Sequence, residues 1–88
     1  MTPSLTPEQL LIVADEFCET RRVQVRDFGA LVAAAAVPGA HIAGVPVYAG
    51  VPAAARALET TVIQLEPLSE CNQEFGRIAR EVYQRIFS

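Results

Sequence analysis

The chain has no lysine and no tryptophan, one histidine, two cysteines and few aromatic residues of any kind. Each shortage closes off a class of function. Without lysine, all positive charge comes from seven arginines scattered between Arg21 and Arg85, on a chain of net charge −3. Nucleic-acid binding shows as clustered basic charge, so direct contact with DNA or RNA is not expected. Cys18 and Cys71 fall in different elements, lack metal-ligand spacing and read as reduced thiols. Cys71 has no neighbouring histidine to activate it as a nucleophile. His41, the single imidazole, sits in a Gly- and Pro-containing segment where a surface or packing role is the plain reading. The longest apolar run, Ala30 to Val37, falls far short of the ~20 residues of a membrane span. Met1-Thr2-Pro3-Ser4 has neither the basic nor the apolar region of a signal peptide. A cytoplasmic location without membrane association is the default expectation.

What is present argues for a folded helical domain. Hydrophobic residues make up 51% of 88 residues, enough for one domain, 1–88, with a small core. The alanine content favours close helix–helix contact over a bulky interior. Thr6-Pro7-Glu8-Gln9 reads as a helix start, with Thr6 as N-cap, Pro7 at the first turn and Gln9 closing a capping box. Leu10, Leu11, Ala14, Phe17 and Cys18 then share one face, and the spacing predicts a helix over about 6–20. Val23-Gln24-Val25 reads as a short extended link and Asp27 as the next N-cap. The second helix, about 27–37, is apolar nearly all round, which predicts a position in the middle of the fold. Three Gly and Pro46 bar a long element over 39–51 and leave room for a short hairpin or flap, with Pro46 confining it to an edge. Pro52 opens a third helix, 52–65, whose Leu58, Val62 and Leu65 repeat on one face. Pro67 ends it. Asn72 reads as N-cap of a fourth helix, 72–87, with an apolar stripe of Phe75, Ile78, Ala79, Val82 and Ile86 and a supporting Glu81–Arg85 pair. The fold class is therefore a small all-α bundle of about four helices with a flap before the third.

The segment Glu66-Pro67-Leu68-Ser69-Glu70-Cys71-Asn72-Gln73-Glu74 carries the most chemistry. A turn that feeds a helix N-terminus is a natural anion site, because free N–H groups and the helix dipole point at the ligand. Such turns normally add Gly, Lys or Arg. This one adds Glu66, Glu70 and Glu74, with no arginine in sequence until Arg77. Two unit charges 4 Å apart interact by about 4 kcal/mol at an effective dielectric of 20, so Glu74 replaces attraction for phosphate by repulsion.

Three segments resemble the Fic/Doc family, in particular its Doc-like (death-on-curing) toxins of toxin–antitoxin pairs. Val25-Arg26-Asp27-Phe28-Gly29-Ala30-Leu31 followed by Ala34-Ala35-Ala36 resembles the family's I-R-D-x-G-x-L helix. Ala43-Gly44-Val45-Pro46-Val47-Tyr48 resembles its flap, with Gly44, Val45 and Tyr48 at flap positions. Ala53 to Leu58 resembles the helix before the active loop. The motif H-P-F-x-[D/E]-G-N-[K/G]-R then falls on Glu66 to Glu74. Glu66 stands at the histidine, Pro67 matches, Leu68 replaces Phe and Glu70 keeps the acid of the metal position. Cys71 replaces Gly, Asn72 matches, and Gln73 and Glu74 stand where the family places its phosphate-gripping residues.

The resemblance implies transfer of AMP or phosphate from Mg-ATP to a protein hydroxyl, in Doc-type members one of elongation factor Tu. Residue by residue it implies Glu66 as base, Glu70 as metal ligand and Cys71, Asn72, Gln73 and Glu74 as the phosphate loop. Because the base and the cationic grip are exchanged, the chain reads as a degenerate member that works by protein binding, with neither Mg nor ATP expected if it is inactive. A Phd-like antitoxin or a second copy is the expected partner. The family continues with further helices after its motif helix, so an apolar face available to such a partner is also expected. An active transferase using Glu66, and a helical adaptor with only ancestral resemblance, are the alternatives.

Overall fold

Four α-helices and one short hairpin account for the regular structure of residues 2–87, the part of the chain that the computed structural model describes. The helices are α1 (Pro7–Arg21), α2 (Phe28–Ala36), α3 (Val51–Leu65) and α4 (Asn72–Phe87). A 3-10 turn, Val37–Gly39, and an antiparallel pair, β1 (His41–Ile42) and β2 (Val45–Pro46), join α2 to α3. The small all-α bundle expected from the periodicity is what forms.

Local signals set most boundaries. The Thr6 hydroxyl accepts from the Gln9 N–H, and the Gln9 side chain accepts from the Thr6 N–H, completing the capping box of α1. Asp27 Oδ1 accepts from the Ala30 N–H at 3.1 Å and caps α2. At α3 the N-cap is Gly50, one residue earlier than Pro52 alone suggests. Arg22 and Glu66 end α1 and α3 in the left-handed conformation.

The bundle is organised around α3 and α4. Their contact needs Gly76: a Cβ there would lie 3.1 Å from the Glu59 carbonyl oxygen and 3.3 Å from Ile63 Cγ1. Leu58 and Val62 from α3 and Phe75, Ala79 and Tyr83 from α4 fill the centre, with Leu10, Ala14 and Phe17 of α1 against them. The Arg80–Glu59 ion pair, 2.7 Å, ties the two helices at their edge. The expected Glu81–Arg85 pair does not form among the described residues; the ion pairs there are Arg80–Glu59 and Arg21–Glu74.

Three further expectations are corrected. The second helix is not central: Ala30, Leu31, Ala34 and Ala35 are buried, whereas Phe28 is 61% and Val32 51% exposed. Its nine residues cover one flank of α3, and a composition apolar all round does not by itself enclose a helix. Ile86 and Leu65, placed on apolar stripes, are exposed. The largest side chain of the interior is instead Tyr83, whose hydroxyl donates to the Pro3 carbonyl at 2.7 Å. That bond secures an N-terminal strap in which Thr2 donates to the Pro38 carbonyl and Ser4 bonds Ala36 and Gly39. Burial pushes the Tyr83 phenol up from its ordinary value, keeping it a neutral donor.

Replacing Gly76 by Val puts a branched side chain against fixed backbone. The expected loss is about 1–3 kcal/mol, read as a lower denaturant midpoint with unchanged slope.

Candidate functional site

The loop between α3 and α4 is held by the link between α1 and α2. Pro67 and Leu68 are fully buried. The Pro67 carbonyl accepts two bonds, from the Arg26 N–H at 2.7 Å and the Asp27 N–H at 3.0 Å. One step along, the Ser69 N–H donates to the Gln24 carbonyl at 2.8 Å, and the Gln24 N–H donates to Ser69 Oγ at 3.0 Å. Val25 and Leu68 form an isolated antiparallel bridge between these bonds.

Asn72 completes the turn in a way that differs from the sequence reading. It is the first residue of α4 rather than its cap, and its side chain turns back onto one residue. Its Oδ1 accepts from the Leu68 N–H at 2.9 Å, and its Nδ2 donates to the Leu68 carbonyl at 3.0 Å. Both atoms of the amide therefore shape the loop and leave the first N–H groups of α4 uncapped by that side chain. Cys71 precedes α4 with φ 63°, the left-handed conformation for which glycine is the default.

The candidate residues fall into two groups. Glu66, Glu70 and Gln73 are exposed, and Glu74 is half-buried. Glu66 lies at the end of α3, where the loop begins, with its side chain exposed. Among the described residues no group of three or more His, Cys, Asp or Glu is placed to hold a metal, so Glu70 has no such cluster around it. The flap forms as a hairpin: Ala43 and Gly44 take φ of 52° and 79°, the two positive values of a tight turn, with Ile42 opposite Val45. Val45 is exposed and Tyr48 packs against the core as an anchor. No hydrogen bond joins the hairpin to the loop among the described residues.

Two residues that the linear reading did not assign to the loop reach it. Arg21 pairs with Glu74 and lies over the Phe17 ring, 5.4 Å from its centre. Arg26 donates from its guanidinium to the Glu66 carbonyl at 2.6 Å. The loop thus has cations, delivered from 40 or more residues upstream, but one is engaged by a carboxylate and the other by a carbonyl. Cys18 is not an activated thiol: burial, then the charge of Asp15, pushes it above its ordinary 9.0.

Away from the loop, α1 and α4 diverge around a groove of about 400 Å³. Val13, Phe17, Ile78 and Val82 line it, with Glu16 and Arg21 beside them. No helix among the described residues is long and apolar enough to cross a membrane. Compared with protein-family models, curated proteins and solved structures, the chain matches none.

The Asn72 clamp makes a direct prediction. Asn72→Ala leaves the part-buried Leu68 N–H and carbonyl without their partners, for a loss of about 1–3 kcal/mol. Thermal unfolding of the variant measures it. Asn72→Asp keeps the acceptor but not the donor, and should fall between the variant and the parent.

Proposed function

We propose that the protein acts by binding another polypeptide in the cytoplasm, as a Doc-like chain of a toxin–antitoxin pair that has lost efficient transferase chemistry. The observation that carries this reading is the commitment of the loop's polar groups. Pro67 and Ser69 fasten the loop to the α1–α2 link, and the Asn72 amide and the Leu68 backbone are used on each other within the loop. A phosphate cradle needs such groups turned outward and cations free to meet the charge. Here Glu74 occupies Arg21, and Arg26 is spent on the Glu66 carbonyl.

The Doc-like part of the proposal rests on the segments that resemble the family. Two features of the backbone support it. A hairpin occupies the flap segment, and a left-handed residue, Cys71, stands where the family pattern has Gly. The partner proposed is an amphipathic helix such as that of a Phd-like antitoxin. The α1–α4 groove, apolar along Val13, Phe17, Ile78 and Val82, suits the side chains of one helical stripe.

Incubation with Mg²⁺, labelled ATP and elongation factor Tu is expected to give no transfer, and Glu66→Gln is expected to change nothing. Robust label transfer that Glu66→Gln abolishes would overturn the proposal and restore Mg and ATP as working cofactors.

A further inference from the structure

Every charged residue of the chain lies before Phe28 or after Ala55. The 28 residues between contain no Asp, Glu, Lys or Arg, while the other 60 hold all ten acids and all seven arginines. This uncharged stretch builds α2, the 3-10 turn, the hairpin and the start of α3. Among the described residues it also contains five of the eight large hydrophobic side chains that the fold leaves exposed: Phe28, Val32, Ile42, Val45 and Val47.

The hairpin shows most clearly that this surface is built to be covered. Ile42 pairs with Val45, and the Val47 N–H donates to the Ala40 carbonyl, which continues the register by one step. Cross-strand partners and residues two apart share a face of a ladder. Ile42, Val45 and Val47 therefore form one face, and they are 72%, 64% and 45% exposed. Pro46 and Tyr48 alternate with them and are half-buried, Tyr48 against the core. A hairpin solvated on one side ordinarily carries polar residues there. This one carries β-branched apolar residues on the outward face, and two strands alone are marginal in water.

We propose that this face is the contact between two copies of the chain, packed hairpin to hairpin across a two-fold axis. Charge decides between occupants. A two-fold axis sets each surface against itself, so any charge near the axis meets its own kind. On a chain of net charge −3, the uncharged stretch is where an axis can pass without that penalty. The cores of interfaces between proteins are likewise depleted in charge. Area permits it as well. A standard interface takes about 800 Å² from each partner, a modest part of the 5218 Å² that the protein exposes. Phe28 and Val32, the other exposed large apolar side chains of the stretch, lie beside Pro7, Glu8 and Leu11 of α1. An anionic membrane is the poorer occupant, because the stretch offers no Lys or Arg to meet it.

This inference goes beyond the binding role proposed above, with a different partner, a second copy, and a different surface, the hairpin face rather than the α1–α4 groove. The two fail separately: label transfer from ATP would remove that role and leave the association untouched, whereas a monomeric protein would remove only the dimer. Sedimentation of the full chain from about 1 µM to 1 mM is the test. The expected result is a dimer that molar salt does not weaken, since no ion pair forms its contact. Val45→Asp should raise its dissociation constant at least tenfold with the helical circular dichroism unchanged. Ile42→Thr, which keeps the β-branched shape, should weaken it in the same direction. Ile86→Asp, on the exposed side of α4, should leave it as it is. A monomer across the whole range, a dimer indifferent to Val45→Asp, or one dissociated equally by Ile86→Asp would overturn the proposal. So would binding of a monomeric chain to phosphatidylcholine vesicles that Val45→Asp abolishes.

Discussion

The carbonyl of Pro67 holds the two halves of this protein together. It accepts from two consecutive N–H groups, those of Arg26 and Asp27, and so fixes the loop between α3 and α4 against the link between α1 and α2. The contact joins the connection between α1 and α2 to the connection between α3 and α4, beside a core to which all four helices contribute. Proline suits the position because it is buried, needs no partner for a missing N–H and stops α3 where the turn must begin. Leu68 follows it into the core, and Ser69 and Gln24 bond each other twice. Each bond contributes about 1 kcal/mol net, but an unmade one would strand a buried polar group at about 1–3 kcal/mol. The arrangement is therefore closer to all-or-none than the single bonds suggest.

That constraint reaches the chemistry of the loop. A turn ahead of a helix can direct its polar groups outward to a ligand or inward to the fold. The same amide cannot do both. Asn72 gives both ends of its side chain to Leu68, and Arg26 gives a guanidinium N–H to the Glu66 carbonyl. The acids that remain, Glu66 and Glu70, face water.

What the sequence made legible follows the range of the interaction concerned. Thr6 with Gln9, Asp27 with Ala30 and the Gly44 turn act within a few residues, and each was readable because its partner lies in the same short window. The number and order of the helices came from the same local information. The pairing of Arg26 with Glu66 and of Arg21 with Glu74 joins residues far apart, and no spacing rule announces it. Asn72 shows a subtler failure. Its type and position fit a cap, but two bonds to Leu68 outweigh the one bond a cap would make. The apolar circumference of α2 misled for another reason: alanines let it lie close to α3 on one side, and nothing in the described fold is left to cover the other.

The molecule divides its surface into two kinds of physics. Around the loop, arginines and acids of both signs lie close together, and association through them would weaken with salt. Across α2 and the hairpin there is no formal charge at all, and association there would depend on apolar area and shape. Neutral alanine and glycine keep that second region permissive in close approach, while Tyr48, packed against the core, anchors the segment that follows the hairpin. Small side chains would have served the core equally well with lysine or glutamate at positions 42, 45 and 47. Their β-branched apolar residues add nothing to the interior of the described fold, and their natural complement is another surface without charge.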